Sequence, residues 1–351
     1  MKIEDDRTFL NDYSFNQDSN CNIDMVLSGK YIDDRKIDVN LNEIEIDEYP
    51  SYNKINELKA LLAKKDNKDE KNYVIGAASN GIIQNLVKLF FSKGGTLLVS
   101  DFSFAQPEYA VLRIGGKVRK IPTKNFKIDF NDMLNNIDGD TKAIFLCNPN
   151  NPTGYYYDPN EIITFAQKID LPVIVSEAAI EFALKKSLLD FELPENIIVT
   201  RTFSKAYGLA GLRIGYAYLS GKYLELYNKN ITRFEVSILS IIIAINMLKN
   251  LSIDKNVKLV IKERNYLQKN MNLIEIETLS SNSNAFMTRY MYHNDFFKLL
   301  KNMGISVAKV DSDFDNYYYF RVAIQKPDIN KLFIKKLSNI NPNKIKEYEK
   351  K

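Results

Sequence analysis

The segment from residue 201 to residue 216, RTFSKAYGLAGLRIGY, constrains this chain more than any other. The apolar run NIIVT at residues 196–200 leads into it and is typical of a buried parallel strand. Small residues within the segment allow two backbones to approach each other closely. Its chemistry lies in two hydroxyls, an amine and a guanidinium, which belong to Thr202, Ser204, Lys205 and Arg213.

Together these groups suit a cofactor that carries both an aldehyde and a phosphate. An amine such as that of Lys205 forms a Schiff base with an aldehyde, while hydroxyls and the guanidinium of Arg213 hold a phosphate. The alternative interpretation is a surface lysine that follows a core strand, and an isolated Ser-Lys pair would favour it. The segment as a whole favours the cofactor.

A second motif, NPNNPTG, occupies residues 148–154 and directly follows an apolar strand predicted over residues 142–147. Its prolines restrict the backbone and its asparagines can cap turns, so a turn without a ligand is the alternative interpretation. With the lysine segment, this motif resembles those of fold-type-I pyridoxal-phosphate enzymes. The similarity is greatest to the histidinol-phosphate aminotransferase branch of the class I and II aminotransferases. It runs from about residue 49 to residue 321, and its motifs are specific to the superfamily rather than to a substrate.

The resemblance implies a transaminase that uses pyridoxal 5'-phosphate. Lys205 would be the catalytic residue and form the aldimine with the cofactor. Asn151 would donate a hydrogen bond to the phenolic oxygen of the cofactor and would also contact the substrate. The groups expected around the cofactor phosphate are Thr202, Ser204, Arg213, the turn formed by Ala77, Ala78 and Ser79, and Tyr49 of the other subunit.

The small-residue turn GAAS at residues 76–79 precedes an apolar-periodic helix predicted over residues 82–91. A turn that opens a helix exposes backbone N–H groups at the positive end of the helix dipole and can bind an anion. The four residues alone are a weak indication, but their position upstream of the lysine segment matches the phosphate cup of the family. By the same resemblance, Phe102 would stack on the pyridine ring, with Phe104 or a purely structural phenylalanine as alternatives.

Arg321 lies inside an apolar strand predicted over residues 317–324. A buried guanidinium needs an anionic partner. That partner is either an internal carboxylate or, as the resemblance implies, the α-carboxylate of the substrate bound as a two-pronged pair. We expect the second, because the arginine occupies the position that the family uses for this purpose.

Residues 173–182, VIVSEAAIEF, depart from the family pattern. Relatives have an aspartate at the position of Ser176, which keeps the pyridine nitrogen protonated and makes the ring an electron sink, and usually a tyrosine at that of Ala179. A serine hydroxyl carries no charge, so we expect a mostly unprotonated nitrogen at neutral pH. Glu177 is not expected to substitute unless a bulge intervenes, because neighbouring side chains on a strand face opposite ways.

Three functions are compatible with this departure. The protein is a slower aminotransferase, a lyase or decarboxylase whose chemistry tolerates a neutral ring, or a binding protein that has lost catalysis. The intact lysine, arginine and asparagine positions favour the aminotransferase. The substrate stays open: Phe234 and Glu235 stand where histidinol-phosphate enzymes have a Pro-Tyr-Asn element, and an acidic residue near the pocket would repel a substrate phosphate.

Strands alternate with helices through most of the chain, which predicts an α/β fold with a mainly parallel sheet covered by helices on both faces. The resemblance implies a fold-type-I architecture with a seven-stranded type of sheet. We divide the chain into an arm with part of the small domain (1–45), a large cofactor-binding domain (46–235) and a small α+β domain (236–351). In the arm, Asn16, Gln17 and Asp18 are the nearest candidates for the element that covers the substrate in relatives.

Composition and charge argue against other classes. The net charge of +4 over 351 residues is small, so no nucleic-acid partner is expected. The apolar run 237–248 is too short for a membrane span, and the N-terminus lacks the apolar core of a signal peptide, so we expect a cytoplasmic protein.

Cys21 and Cys147 provide neither a disulfide framework nor a metal cluster, and the single histidine, His293, is predicted to lie in a loop. The expected partners are amino acid and 2-oxo acid substrates and, because relatives build each site from two subunits, a second copy of the chain.

Overall fold

The structure is a computed structural model that describes residues 23–26, 44, 46–231, 234–290, 296–310 and 317–340. These residues form a large lobe around a seven-stranded sheet and a small lobe around a four-stranded sheet. The arm residues Asn16, Gln17 and Asp18, together with Cys21 and His293, lie outside the described residues.

Strands of the described residues are named in chain order. They are β1 (Ile23–Asp24), β2 (Tyr73–Gly76), β3 (Thr96–Ser100), β4 (Lys117–Ile121), β5 (Thr141–Cys147), β6 (Val173–Ser176), β7 (Ile197–Thr202), β8 (Gly215–Tyr218), β9 (Glu277–Thr278), β10 (Ala285–Tyr290), β11 (Ile305–Ser306), β12 (Ala308–Val310) and β13 (Tyr318–Ala323).

The helices are named in the same way. They are α1 (Tyr52–Asp66), α2 (Ala78–Phe91), α3 (Gln106–Arg113), α4 (Phe130–Asn135), α5 (Pro159–Ala166), α6 (Gly221–Asn230), α7 (Ile238–Asn250), α8 (Asp254–Leu273), α9 (Phe296–Asn302) and α10 (Pro327–Leu337).

The large sheet has the strand order β2-β8-β7-β6-β5-β3-β4. All neighbouring pairs are parallel except the two that β8 makes with β2 and β7. This arrangement confirms the predicted α/β fold with a mainly parallel, seven-stranded sheet. The carboxyl ends of β5, β6 and β7 therefore meet at one edge of the sheet, where open α/β sheets bind their ligands.

Helices cover both faces of the large sheet because its strands are apolar on both sides. On one face, α1, α5 and α7 pack through residues such as Leu58, Phe165 and Ile241. On the other face, α2, α3 and α6 pack through Ile82, Leu86 and others of the same cluster. The lysine segment that follows β7 is therefore held at the edge of a rigid, fully covered sheet.

The small lobe consists of the antiparallel sheet β12-β13-β10-β9 with α8, α9 and α10 packed against it. Strand β1 pairs in parallel with β11, Ile23 opposite Ile305, and so joins the N-terminal segment to this lobe. The domain limits 1–45, 46–235 and 236–351 stay a prediction.

The helix predicted over residues 82–91 begins earlier than expected, at Ala78. Helix α7 begins at residue 238, because Ser237 adopts an extended backbone and its side chain accepts from the N–H of Ser240. Among the described helices, none combines the length and the apolar character that crossing a bilayer requires.

Candidate active site

The turn that carries Lys205 is held by backbone hydrogen bonds and buried aromatic packing. The N–H of Gly208 donates to the carbonyl of Lys205 over 2.9 Å, and that of Leu209 donates to the carbonyl of Phe203 over 2.9 Å. Phe203 is fully buried in the core beneath β7. Because Lys205 lies only three residues beyond the last residue of β7, this turn places its side chain at the carboxyl edge of the sheet.

Lys205 lies in the field of two predicted site arginines. Burial first, and then the positive charges of Arg321 and Arg213, lower the pKa of the Lys205 amine to about 8. Arg321 belongs to β13 of the small lobe, whereas Lys205 and Arg213 belong to the large lobe. The fold therefore brings Arg321, which is distant in sequence, close to two groups of the lysine segment, and it keeps the amine poised to lose its proton.

Glycines let the first turn of α2 lie directly on the strand ends. Gly215 of β8 pairs with Thr202 of β7 on one side and with Gly76 of β2 on the other. A Cβ atom on Gly215 would lie 2.6 Å from the backbone N of Ser79 and 2.7 Å from the carbonyl carbon of Ala78. Any other residue at 215 would push α2 away, so this glycine, which the sequence analysis did not single out, sets the shape of the cup.

The beginning of α2 is chemically suited to an anion. Ala77 provides no side-chain cap, and the first turn contains no acidic residue, so the first N–H groups of the helix are available to a ligand. Ala78 adopts a left-handed backbone with φ of 59°. The predicted cup residues Ala77, Ala78 and Ser79 therefore lie at the N-terminus of a 14-residue helix, beside the end of β7.

Hydroxyls and a guanidinium complete this end of the site. The Thr202 hydroxyl donates to Ser204 Oγ over 2.9 Å and accepts from the Ser204 N–H over 3.1 Å. Arg213 Nη1 donates to Ser204 Oγ over 3.5 Å and to the carbonyl of Ala210 over 3.0 Å. The predicted phosphate groups are therefore neighbours, and no carboxylate takes part in these contacts.

At the other end of the site, several predicted groups converge on Cys147. The hydroxyl of Ser176 and the backbone N–H groups of Asn151 and Phe104 lie close enough to its sulfur to act on the pKa of the thiol, which they lower. Burial, the dominant effect, raises the pKa of the thiol to about 12, so the group is a neutral thiol at physiological pH. Cys147, which the sequence analysis had treated only as a lone cysteine, thus joins the strand end, the asparagine loop and the aromatic segment.

Two of the three asparagines of the NPNNPTG loop form side-chain hydrogen bonds within the protein. Asn148 exchanges two hydrogen bonds of 2.9 Å with the backbone of Tyr157. The side-chain amide of Asn150 donates to the carbonyl of Phe102 over 2.7 Å and to Thr153 Oγ1 over 2.9 Å. These two residues hold the loop in shape, which leaves Asn151 as the asparagine of the loop that is available to a ligand.

The two phenylalanines considered for ring stacking are in different environments. Phe102 is only 4% exposed, and it packs edge-on against Phe126 and Tyr319 with ring centroids 5.1 and 6.0 Å apart. Phe104 is partly exposed, and its backbone lies at the Cys147 sulfur beside Ser176. Stacking by Phe102, with Phe104 as the alternative, stays a prediction.

Glu177 faces away from Ser176, as the alternation of strand side chains predicts. It is fully buried, and its carboxylate accepts from Nε and Nη2 of Arg201, both over 3.1 Å. It also accepts from the Ser187 hydroxyl over 2.6 Å and the N–H of Leu188 over 2.8 Å. The register of β6 with β5 and β7 is continuous, so no bulge turns Glu177 toward the site.

A model of the family described as aminotransferase class I and II matches residues 11–317. The chain belongs to this family. Histidinol-phosphate aminotransferase of Caldanaerobacter subterraneus is 31% identical over 310 residues, which cover 86% of each chain. That of Macrococcus caseolyticus is 36% identical over 208 residues, 58% of this chain and 59% of the relative. The matched part thus spans a little more than half of some relatives and most of others.

Solved structures show the same fold at lower sequence identity. A histidinol-phosphate aminotransferase from Sinorhizobium meliloti, in complex with pyridoxal 5'-phosphate, has a TM-score of 0.75 and 22% identity, covering 87% of this chain and 84% of that one. A putative histidinol-phosphate aminotransferase from Erwinia carotovora has a TM-score of 0.76 and 21% identity, with 86% and 90% covered. The predictions of the fold and of the pyridoxal-phosphate-dependent transaminase family are confirmed.

The site of this family member fits pyridoxal 5'-phosphate on three observations. An uncapped helix N-terminus with neighbouring hydroxyls and Arg213 suits the phosphate, and a buried amine of lowered pKa suits the aldehyde. Within the part of the chain that the structure describes, Asn150 Oδ1 and Thr200 Oγ1 are buried without a hydrogen-bond partner. Buried polar atoms are rarely left in that state unless a bound group pairs with them.

The remaining predicted residues have contacts with other parts of the protein. Arg321 Nη2 donates to the carbonyl of Val26 over 2.6 Å, so the N-terminal segment reaches the predicted carboxylate site. Tyr49 is 77% exposed, and its ring centroid lies 4.6 Å from that of Phe234. Both carboxylate oxygens of Glu235 accept from the side-chain amide of Asn85 on α2, each over 3.0 Å. This acidic group is therefore engaged by the scaffold, and its predicted repulsion of a substrate phosphate stays untested.

Proposed function

We propose that this protein is an aminotransferase that moves an amino group between an amino acid, or a related amine, and a 2-oxo acid. The observation that carries the proposal is that Arg213 and Arg321 both lie close enough to Lys205 for their charges to lower the pKa of its amine, which supports a phosphate site and a carboxylate site near that amine. The family and the fit of pyridoxal 5'-phosphate to the site support the same function.

When bound, pyridoxal 5'-phosphate supplies an aldehyde that exchanges amines and a ring that accepts electrons from the substrate Cα. The chain binds and orients this group. Its phosphate would be held by Arg213, Ser79, Thr202 and Ser204 with the N–H groups at Ala77 and Ala78. Asn151 would donate to the phenolic oxygen, and Phe102, with Phe104 as the alternative, would cover the ring.

Lys205 moves the proton. With a pKa of about 8, a substantial fraction of its amine is neutral near physiological pH, so Nζ can take the proton from the substrate Cα and later return it. Arg321 binds the α-carboxylate as a two-pronged pair and thereby orients the Cα–H bond toward that amine. Both roles follow from side chains on rigid strands or on the turn directly after one.

Ser176 makes the site weaker than that of a typical relative. Its hydroxyl is neutral, and the nearest carboxylate in sequence, that of Glu177, is bound by Arg201 on the opposite face. The chain therefore offers no charge to stabilise a protonated ring nitrogen, and Ala179 offers no hydroxyl to assist Asn151. We expect transamination that is slower than in relatives with aspartate at this position.

The same neutral nitrogen site favours a second candidate, a pyridoxal-phosphate-dependent lyase or decarboxylase. An elimination whose leaving group departs as the Cα–H bond breaks places less negative charge on the ring than the formation of a full carbanion does. Release of ammonia, pyruvate or carbon dioxide from an amino acid would identify it.

Trapping of the cofactor on Lys205 tests both candidates. Purified protein supplied with pyridoxal 5'-phosphate is expected to show a visible absorption band, and borohydride treatment is expected to leave a pyridoxyl group on Lys205 that mass spectrometry locates. Lys205→Ala should lose the band. Lys222→Ala is the control and should keep the band, because Lys222 pairs with the exposed Asp170. A wild-type protein without this mark would overturn the proposal.

Substrates are then screened with the loaded protein. Amino acids and histidinol phosphate, the substrate named in the relatives, are incubated with 2-oxo acids, and amino-group exchange is followed by mass spectrometry. Exchange supports the aminotransferase, and release of ammonia or carbon dioxide without exchange supports the lyase. Bound cofactor without any turnover would identify a binding protein instead.

A further inference from the structure

The last residue of the NPNNPTG loop, Gly154, closes the turn that contains Asn151. Its N–H donates to the carbonyl of Asn150 over 2.8 Å, so residues 151–153 lie within one hydrogen-bonded turn. The side chain of Asn150 donates to the carbonyl of Phe102 and thereby attaches the beginning of the turn to the large lobe. The backbone conformation of Asn151 therefore depends on where Gly154, the end of the turn, is held.

Gly154 is held by the small lobe. Its carbonyl accepts from the N–H of Asn282 over 2.8 Å. The residue has a φ of 73°, in the left-handed region that favours glycine. A Cβ atom on it would overlap Ser281 Oγ and would lie only 2.9 Å from Ser281 Cα. Glycine is therefore the residue that allows the turn and the small lobe to come into contact here.

The segment that contacts Gly154 leads directly into the strands that carry Arg321. Ser281 is only 7% exposed, and its Oγ donates to the carbonyl of Ala285, the first residue of β10, over 2.6 Å. Strand β10 pairs along its whole length with β13, and Met287 lies opposite Arg321. The turn is thus attached to a different lobe at each end. A displacement of the β10–β13 pair relative to the large sheet would change the shape of the turn.

We propose that Gly154 is a positioning residue. By anchoring its turn to the small lobe, it holds Asn151 in place to donate to the phenolic oxygen of pyridoxal 5'-phosphate. The proposal rests on the proposed function, because the role of Asn151 toward the cofactor comes from there. It also connects the two ends of the site: a shift of the lobe that carries Arg321 reaches Asn151 through the contact between Gly154 and Asn282.

Calorimetric titration with pyridoxamine 5'-phosphate tests this role, because the amine form of the cofactor makes no covalent bond with Lys205. Asn151→Ala removes the hydrogen bond to the phenolic oxygen and should weaken binding about tenfold. Gly154→Ala keeps Asn151 but forces the turn away from Ser281, and it should weaken binding by a similar factor. Gly139→Ala is the matched control and should bind like the wild type, because a Cβ atom on Gly139 would meet nothing within 4 Å.

The double variant distinguishes a positioning role from general damage to the site. If Gly154 acts through Asn151, a protein with both changes should bind about as weakly as Asn151→Ala alone, because the hydrogen bond that Gly154 supports is already lost. Two independent effects would instead multiply to a loss of about a hundredfold. That outcome, or a Gly154→Ala variant that binds like the wild type, would overturn the proposal.

Asn282→Pro tests the same contact from the small lobe and leaves the NPNNPTG loop unchanged, so the proposal stays testable if Gly154→Ala does not fold. Proline lacks the N–H that donates to Gly154, so this variant should weaken binding in the wild-type background and have no further effect in the Asn151→Ala background. Unchanged binding by a folded Asn282→Pro variant would also overturn the role of Gly154. A wild type that does not bind pyridoxamine 5'-phosphate would overturn the proposed function instead.

Discussion

At the scale of single residues, the environment of Lys205 explains its chemistry. Burial opposes a charged amine, and Arg321 and Arg213 oppose it further because they are cations. All three effects act in the same direction, so the amine loses its proton more readily than a lysine in water. The arginines thus serve two purposes: they provide sites for anions, and they prepare the amine between those sites.

The pH dependence of cofactor loading should report this pKa. Only the neutral amine attacks an aldehyde, so the rate at which pyridoxal 5'-phosphate is incorporated should rise with pH through a midpoint of about 8, rather than near the ordinary 10.5. Stopped-flow absorbance between about pH 6.5 and 10 measures it. Arg321→Gln removes one cation and should move the midpoint upward. A midpoint near the ordinary value in the wild type would contradict the prediction.

At the scale of secondary-structure elements, a buried ion pair ties together the two strands that carry the site. Glu177 directly follows β6, and Arg201 lies within β7 one residue before Thr202. Arg201 Nη1 also lies 3.6 Å from Asp66 Oδ1, and the Asp66 carboxylate accepts from the hydroxyl of Tyr73 over 3.0 Å. The pair therefore joins the ends of β6 and β7. By doing so it fixes the relative positions of Ser176 and Thr202, whose side chains lie on the opposite face of the sheet.

Removal of one partner should be costly. Glu177→Gln leaves the buried guanidinium of Arg201 with the more distant carboxylate of Asp66 and the hydroxyl of Tyr216, so the free energy of unfolding should fall by about 3 kcal/mol. Denaturant unfolding of the cofactor-free protein measures this loss. Glu225→Gln breaks an exposed pair with Lys229 instead and should cost less than about 0.5 kcal/mol. Equal effects of the two changes would show that the buried pair does not stabilise the strand ends.

At the scale of the whole molecule, the exposed aromatic surface around Tyr49 is consistent with a dimer. Tyr49 is 77% exposed and Tyr52 is 61% exposed, and Tyr49 contacts the half-exposed ring of Phe234. Such apolar residues grouped on a surface are typical of contact with another protein. We propose that a second copy of the chain covers them, and that Tyr49 of one subunit reaches the cofactor phosphate of the other.

A mixing experiment separates a role of Tyr49 in its own subunit from a role in the partner. Lys205→Ala and Tyr49→Phe should each bind the cofactor poorly or not at all. When the two variants are unfolded together and refolded, mixed dimers contain one site with Lys205 from one subunit and Tyr49 from the other. Recovery of the visible absorption band in about half of the mixed sites is expected. A mixture no better than the separate variants would exclude the contribution across subunits.

Local chemistry determined much of this protein from its sequence. Periodicity predicted the alternation of strands and helices, because apolar residues that face a core recur every 2 residues in a strand and every 3.6 residues in a helix. The candidate cofactor-binding residues were also recognisable, since Lys205, Arg213 and Asn151 stand in two contiguous motifs, each of which forms a turn after a strand. The opposite orientation of Glu177 and Ser176 followed from strand geometry alone.

Only the tertiary structure decided how distant segments meet. The meeting of Ser176, Asn151 and Phe104 at Cys147 depends on the order and register of strands that are far apart in the chain. The lowered pKa of Lys205 results first from burial and then from the charge of Arg321, which belongs to the other lobe. Contacts of this kind arise from packing between elements, and a motif read along the chain contains no information about its neighbours across the sheet.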